Sequence, residues 1–262
     1  MASAPEVLAG DAPDGREGRP VLVGIDGSRA SLRAAEWAVD EAVGRSAPLQ
    51  MIYTTPQDAL CDRVGRDAVE EAAAKVTPAL GTVPEVREVG LLADELARLS
   101  SDASLICVGA ADKCTAAMLI ANSRCPLAVI QGSANTTAIA VNWVLVPISG
   151  SAAIDRAICE AVAEARLRHA KVLLLAGHGT DGIQMHEDAL QRRVNLLRKT
   201  FSDIPISVIK SNDLNKPLNG QDPATRLLVL ARSPNGAVWN RALPVITWVL
   251  RQGSCPMLVI PC

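Results

Sequence analysis

From Pro20 to the end of the chain, short aliphatic runs alternate with longer stretches whose apolar residues recur every three or four positions. The first run, Val21, Leu22, Val23 and Ile25 between Pro20 and Gly27, has the pattern of a strand covered on both faces of a parallel sheet. It ends in Asp26-Gly27-Ser28, where Gly27 accommodates a tight turn and Ser28 or Ser31 can cap a following helix. Leu32, Ala35, Val39, Ala42 and Val43 then form an apolar stripe opposite Arg33, Glu36, Asp40 and Glu41, which predicts an amphipathic helix laid on a sheet. The alternation continues with a strand at Leu49–Tyr53, closed by Thr54, Thr55 and Pro56, and an Ala/Glu-rich helix at Asp67–Val76. A strand at Pro84–Val89 ends at Gly90, a helix covers Leu92–Leu99, and a buried strand covers Ala103–Gly109. A helix at Ala116–Asn122 and a strand at Pro126–Ile130 complete the set. Strands alternating with helices predict βαβ crossovers and a parallel sheet, and the carboxylate of Asp26 falls at the strand end that borders the ligand crevice of open α/β sheets.

The plan then restarts. Trp143–Ser151 repeats the hydrophobic run and the Gly-Ser of Val21–Ser28, and Ile154, Ile158, Ala161, Val162 and Ala165 form a second helix stripe. Lys171–Ala176, Ile204–Ile209, Arg226–Ala231 and Pro256–Ile260 match the remaining strands, with helices expected at Asp188–Phe201 and Ala242–Leu250. Cys125-Pro126 and Cys255-Pro256 open the two final strands, in SRCPLAVI and GSCPMLVI. The fold class that follows is α/β, with two tandem doubly wound, five-stranded parallel sheets of Rossmann-like type. The expected organisation is a disordered leader at 1–19, a first domain at 20–131, a polar linker at 132–142, and a more divergent second domain at 143–262. A duplicated sheet offers the same docking surface twice, so the halves are expected to pair pseudo-symmetrically. The closing strand in MLVIPC is a candidate pairing edge, since an unpaired edge recruits a partner strand.

Composition narrows the function classes. The 262 residues carry a net charge of -2, with acidic and basic residues interspersed, and aromatics make up 2% of the chain. That excludes the electrostatic footprint of a nucleic-acid or membrane-surface binder and the stacking platform of a single-strand binder. His169, His178 and His186 form no ligand-spaced cluster, so no metal is expected. The seven cysteines are odd in number and fall mostly in apolar runs, as Cys107 and Cys159 do, which predicts free thiols, with Cys61, Cys114 and Cys262 the more exposed ones. No apolar run reaches the length of a membrane span, and the chain does not open on a secretory signal, so a cytoplasmic protein is expected.

VLVGIDGS followed by an S-x-x-A-x-x-W-A helix, the strand LICVG, and the closing CPLAVI resemble the universal stress protein family, and the tandem arrangement resembles its two-domain actinobacterial members. The resemblance implies five-stranded parallel α/β domains that pair or dimerise, and, in one branch, ATP binding. In that branch the Asp after the first strand contacts the nucleoside. A Gly-x-x-Gly, nine further residues and Gly-Ser/Thr after the fourth strand wrap the phosphates, through bare amides and a helix N-terminus.

Carried onto this chain, the resemblance assigns cofactor binding to Asp26, Gly27, Ser28, Thr54, Gly109, Cys114 and Thr115, with ATP in the first domain only. Asp112 stands where the second glycine belongs, and the Gly-Ser position falls at Lys113-Cys114 or at Cys114-Thr115. In the second half Ser149 replaces the Asp, Ala231 stands in place of Gly109, and Pro244 falls in the register of Cys114. The bland readings are a turn cap for Asp26, a strand end for Gly109 and a helix N-cap for Thr115. No nucleophile, base or paired-carboxylate constellation stands out. The expectation is a non-enzymatic stress-adaptation protein acting as a binding or regulatory module, with a homodimer or intramolecular domain pairing and a regulatory protein partner. The alternatives are an ATP or AMP sensor using the first domain, and a nucleotide hydrolase of the same fold.

Overall fold

The computed structural model describes residues 16–54, 59–132, 141–148, 153–176, 186–210, 226–232 and 255–261. In chain order the elements are β1 (Val21–Ile25), α1 (Arg29–Gly44), β2 (Leu49–Thr54), α2 (Ala59–Leu80), β3 (Glu85–Val89), α3 (Leu92–Leu99), β4 (Leu105–Gly109), α4 (Lys113–Asn122) and β5 (Leu127–Ile130). The repeat adds β6 (Trp143–Ile148), α5 (Ala153–Leu167), β7 (Lys171–Ala176), α6 (Glu187–Thr200), β8 (Ile206–Lys210), β9 (Arg226–Arg232) and β10 (Met257–Pro261). The expected helix at Ala242–Leu250 and most of the expected linker lie outside the described residues.

The strands form one ten-stranded sheet in the order β3-β2-β1-β4-β5-β10-β9-β6-β7-β8, a palindrome in which the second half mirrors the first. Every pairing is parallel except the central one, where β10 runs antiparallel to β5 in the register Met257↔Val129, Leu258↔Ala128 and Val259↔Leu127. The two five-stranded sheets are therefore fused. The closing strand, expected as a candidate pairing edge, is an interior strand whose partners lie in the same chain, β5 on one side and β9 on the other.

β1, β4 and β5 are buried along their whole length, as aliphatic runs covered by helices on both faces require. On one face, Ala34, Ala38 and Val39 of α1 and Val69 and Ala72 of α2 share a core with Ala157, Ala161 and Val162 of α5 and Val194 of α6. On the other, Leu96 of α3 and Leu119 and Ile120 of α4 cover Ile106, Leu127 and Val129. The first half was expected to turn Glu41 toward water with Arg33, Glu36 and Asp40; instead Glu41 is fully buried, because α5 of the second half lies against that side of α1. α2 runs past the expected end at Val76 through Pro78, and the Thr77 hydroxyl donates to the Ala73 carbonyl at 2.7 Å in that last stretch.

Two further ties hold distant segments. Arg16 donates to the carbonyls of Ala103 and Arg124, and Arg19 to that of Ser101, so residues within the expected leader rest on the strand-start end of the first half. On the helical face of α4, Arg232 at the end of β9 donates to the carbonyls of Ile120 and Ser123 at 2.8 and 2.5 Å. The second half thereby satisfies carbonyls that the end of α4 leaves without intrahelical partners.

Candidate functional site

A doubly wound sheet opens its crevice where neighbouring strands send their helices to opposite faces. Here that point lies between β1 and β4, and the cleft found there has a volume of about 300 Å³. Gly24 and Asp26 of the first strand region, Thr54, Val108 and Gly109 form its floor, and Asp112 and Thr115 form one wall. The opposite wall is the segment Gly90–Asp94, which carries the chain from β3 into α3.

The turn after β1 is built locally. Gly27 sits at φ +80°, a conformation that favours glycine, and the Ser28 amide donates to Asp26 Oδ1 at 2.9 Å. Ser28 Oγ in turn accepts from the Ser31 amide at 3.1 Å and caps α1. Asp26 therefore stabilises the turn and also reaches the cleft, while Gly27 and Ser28 shape the turn and do not line it.

The loop after β4 differs from the expected cap. The N-cap of α4 is Asp112, not Thr115: its Oδ1 accepts from the amides of Cys114 at 2.9 Å and Thr115 at 3.3 Å, and its Oδ2 accepts from the Thr115 hydroxyl at 2.5 Å. The Thr115 hydroxyl above all, with the two amides adding to it, holds the Asp112 carboxyl below the usual carboxylate range against the opposing effect of burial. The free amides of a helix N-terminus are what a glycine loop presents to phosphate. In this chain a fixed carboxylate occupies them.

The structure thus brings Asp26, Thr54, Gly109 and Thr115 to one cleft. Cys114 is exposed at the start of α4 and does not line it. Gly109 abuts the first turn of α1 so closely that no side chain fits, which gives it a packing reason of its own. Sequence reasoning missed Asp94 and the wall it belongs to. The available signal was topological: a crossover from β3 to β4 must carry the start of α3 over the ends of β1 and β2. Asp26, Asp94 and Asp112 place three carboxylates on the cleft, whereas Lys113 and Arg124 do not line it.

Among the described residues no group of His, Cys, Asp and Glu is arranged to hold a metal ion, and no helix is long and apolar enough to cross a membrane. Cys107, Cys125 and Cys255 are free and buried; Cys159, expected to be buried, is half-buried. The second-half counterparts at Ser149 and Pro244 lie outside the described residues.

The sequence profile described as the Universal stress protein family matches residues 18–131. Over nearly the whole length, the chain is 28% identical to the universal stress protein Rv2624c of Mycobacterium tuberculosis, covering 92% of this chain and 96% of that one. A second relative, the universal stress protein Rv3134c of the same organism, is 32% identical over 188 residues, 64% of this chain and 68% of that one. Among solved structures, a universal stress protein from Archaeoglobus fulgidus shares the fold at a TM-score of 0.67 and 14% identity, over 94% of this chain and 97% of that one. With its strand order, its helices on both faces and these relatives, the chain belongs to the universal stress protein family.

Proposed function

We propose that this protein is a non-enzymatic binding or regulatory module of stress adaptation, acting in the cytoplasm, and that its first half does not hold adenine nucleotide tightly. The observation that carries this reading is the Asp112 carboxylate seated on the N-terminal amides of α4. A phosphate at that place meets a solvent-exposed negative charge at about 4 Å, worth roughly 1–4 kcal/mol between the dielectric of water and one near 20, or about one to three orders of magnitude in affinity. Moving Asp112 aside instead sacrifices the cap of α4, a loss of about 0.5–2 kcal/mol. The test is calorimetry with ATP and AMP on the wild type and on Asp112→Gly. No saturable heat is expected for the wild type, with binding gained in the variant. Micromolar ATP binding by the wild type that Asp26→Ala abolishes would overturn the reading.

A second reading, an adenine-nucleotide sensor using the first half, is favoured by one observation: Asp26, Thr54, Gly109 and Thr115 share the switch-point cleft. Nucleotide retained through purification and identified by mass spectrometry would support it. Magnesium-dependent phosphate release above background would instead point to a hydrolase of this fold.

A further inference from the structure

The junction between the two halves carries a buried polar cluster with no part in the cleft. Glu41 in α1 and Glu164 in α5 occupy equivalent places in the repeat, each thirteen residues after the serine of its Gly-Ser pair, and each is followed four residues later by an arginine, Arg45 or Arg168. The two glutamates are 0% and 1% exposed. Each arginine reaches both glutamates. Arg168 Nη2 donates to Glu41 Oε1 at 2.5 Å, and its Nη1 lies 3.0 Å from Glu164 Oε2. Arg45 Nε donates to Glu41 Oε2 at 3.1 Å, and its Nη2 lies 3.5 Å from Glu164 Oε1 and 3.4 Å from Glu160 Oε2. Arg168 also lies over the Trp37 ring, 3.7 Å from its centre.

The pairing is symmetric in sequence and unequal in geometry. Glu41 receives a guanidinium N–H on each carboxylate oxygen. Glu164 Oε2 is buried and makes no hydrogen bond, Arg168 Nη1 pairing with it by charge alone at 3.0 Å; the other terminal nitrogen of that guanidinium holds Glu41 Oε1, so the two carboxyls lie side by side on one fork. A buried ionised oxygen without a donor is costly, whereas a neutral carboxyl that donates its own proton to a neighbouring carboxylate satisfies both groups. We propose that Glu164 holds a proton that it donates to Glu41 across the α1–α5 seam, so that the junction of the two halves is a clasp whose strength depends on pH.

The surroundings agree. Burial and the charge of Glu41 push the Glu164 carboxyl well above its ordinary range, with Arg168 and Arg45 pulling the other way. The other titratable groups in play are Glu160, Asp40, which interacts with Arg168, and the Cys107 thiol of β4. Burial keeps Cys107 neutral by raising its thiol, with Glu41 adding to the effect. Elsewhere on this face the strands under α5 offer aliphatic side chains, among them Val144, Val146, Val229 and Ile260.

Because the folded chain keeps a proton that an unfolded carboxyl releases near 4.5, the clasp is fully present below that pH and is lost as pH rises through the higher folded value. Within that window the folding equilibrium constant falls about tenfold per pH unit. Urea unfolding of the full chain, followed by tryptophan fluorescence from about pH 5 to about pH 9, compares the wild type with Glu164→Gln, whose amide donates to Glu41 at every pH. The expected result is a wild-type stability that declines with pH and a variant lacking that part of the decline. Equal slopes in the two proteins overturn the proposal. Should the variant fail to fold, infrared spectroscopy of the wild type decides: a carboxylic-acid carbonyl band persisting at neutral pH supports the shared proton, and its absence overturns it.

Discussion

Gly109, the last residue of β4, lies against the first turn of α1 so closely that a Cβ on it would stand 2.5 Å from the Ser31 amide nitrogen and 2.6 Å from the Ala30 carbonyl carbon. Both contacts are backbone, so neither can yield by a rotamer change. Gly109→Ala is expected to destabilise the protein by about 1–3 kcal/mol, the usual cost of overpacking. Urea unfolding in the absence of any ligand checks this. An unchanged midpoint would mean that the glycine serves only a ligand.

Asp112 ties α4 to pH in the opposite sense from Glu164. Its folded carboxyl is held below its unfolded value of 3.8, so the cap contributes fully above that value and is lost as pH falls through the folded one. Asp112→Ala is expected to cost about 0.5–2 kcal/mol near neutral pH and to converge on the wild type in strong acid. Hydrogen exchange at the amides of Cys114 and Thr115, faster in the variant at neutral pH, is the local readout.

The two long helices that flank the seam end alike. Ser46 and His169 adopt φ +50° and +53°, following α1 and α5. In each case the next residue closes the helix, Ala47 donating to Ala42 at 2.9 Å and Ala170 to Ala165 at 2.8 Å. Glycine is the usual residue at such an end. Ser46→Gly and His169→Gly are each expected to stabilise by about 0.5–1 kcal/mol, relief of left-handed strain outweighing the added freedom of the unfolded chain. Thermal unfolding of the single and double variants tests both the sign and the additivity.

Arg232 joins the halves on the other face. Removing its donors to the Ile120 and Ser123 carbonyls by Arg232→Ala is expected to cost about 1.5–3 kcal/mol. Arg232→Lys should recover only part of this, since an ammonium lacks the planar fork that meets two carbonyls at once. Hydrogen exchange should report the loss at the end of α4, a first-half element, although the substitution lies in the second.

How far the sequence could be read depended on the range of the forces involved. Strands such as Val21–Ile25 and Lys171–Ala176 are aliphatic runs bounded by turn residues, and local pattern suffices to place them. Helix starts were harder: α4 was expected to begin at Ala116, where its apolar stripe begins, because Lys113, Cys114 and Thr115 give no hydrophobic signal. Asp112 registered there only as a missing glycine, and its role as cap depends on a side-chain rotamer that no spacing reveals. Glu41 was read as solvent-facing because within its own helix it sits among Arg33, Glu36 and Asp40. What buries it is a helix more than a hundred residues away in sequence.

The antiparallel pairing of β5 with β10 has a consequence for the order of events during synthesis. β5 is complete by Ile130, yet the strand that covers its outer edge begins only at Met257, more than a hundred residues further along. Until β10 has been synthesised, a nascent first half presents an apolar strand edge, Leu127 to Ile130, without the strand that covers it. Such an edge invites pairing with a neighbouring nascent copy on the same message, and a contact so distant in sequence forms slowly. A translation pause or a truncation before residue 255 would leave that edge open, and the product would be expected to aggregate rather than to persist as a single folded half.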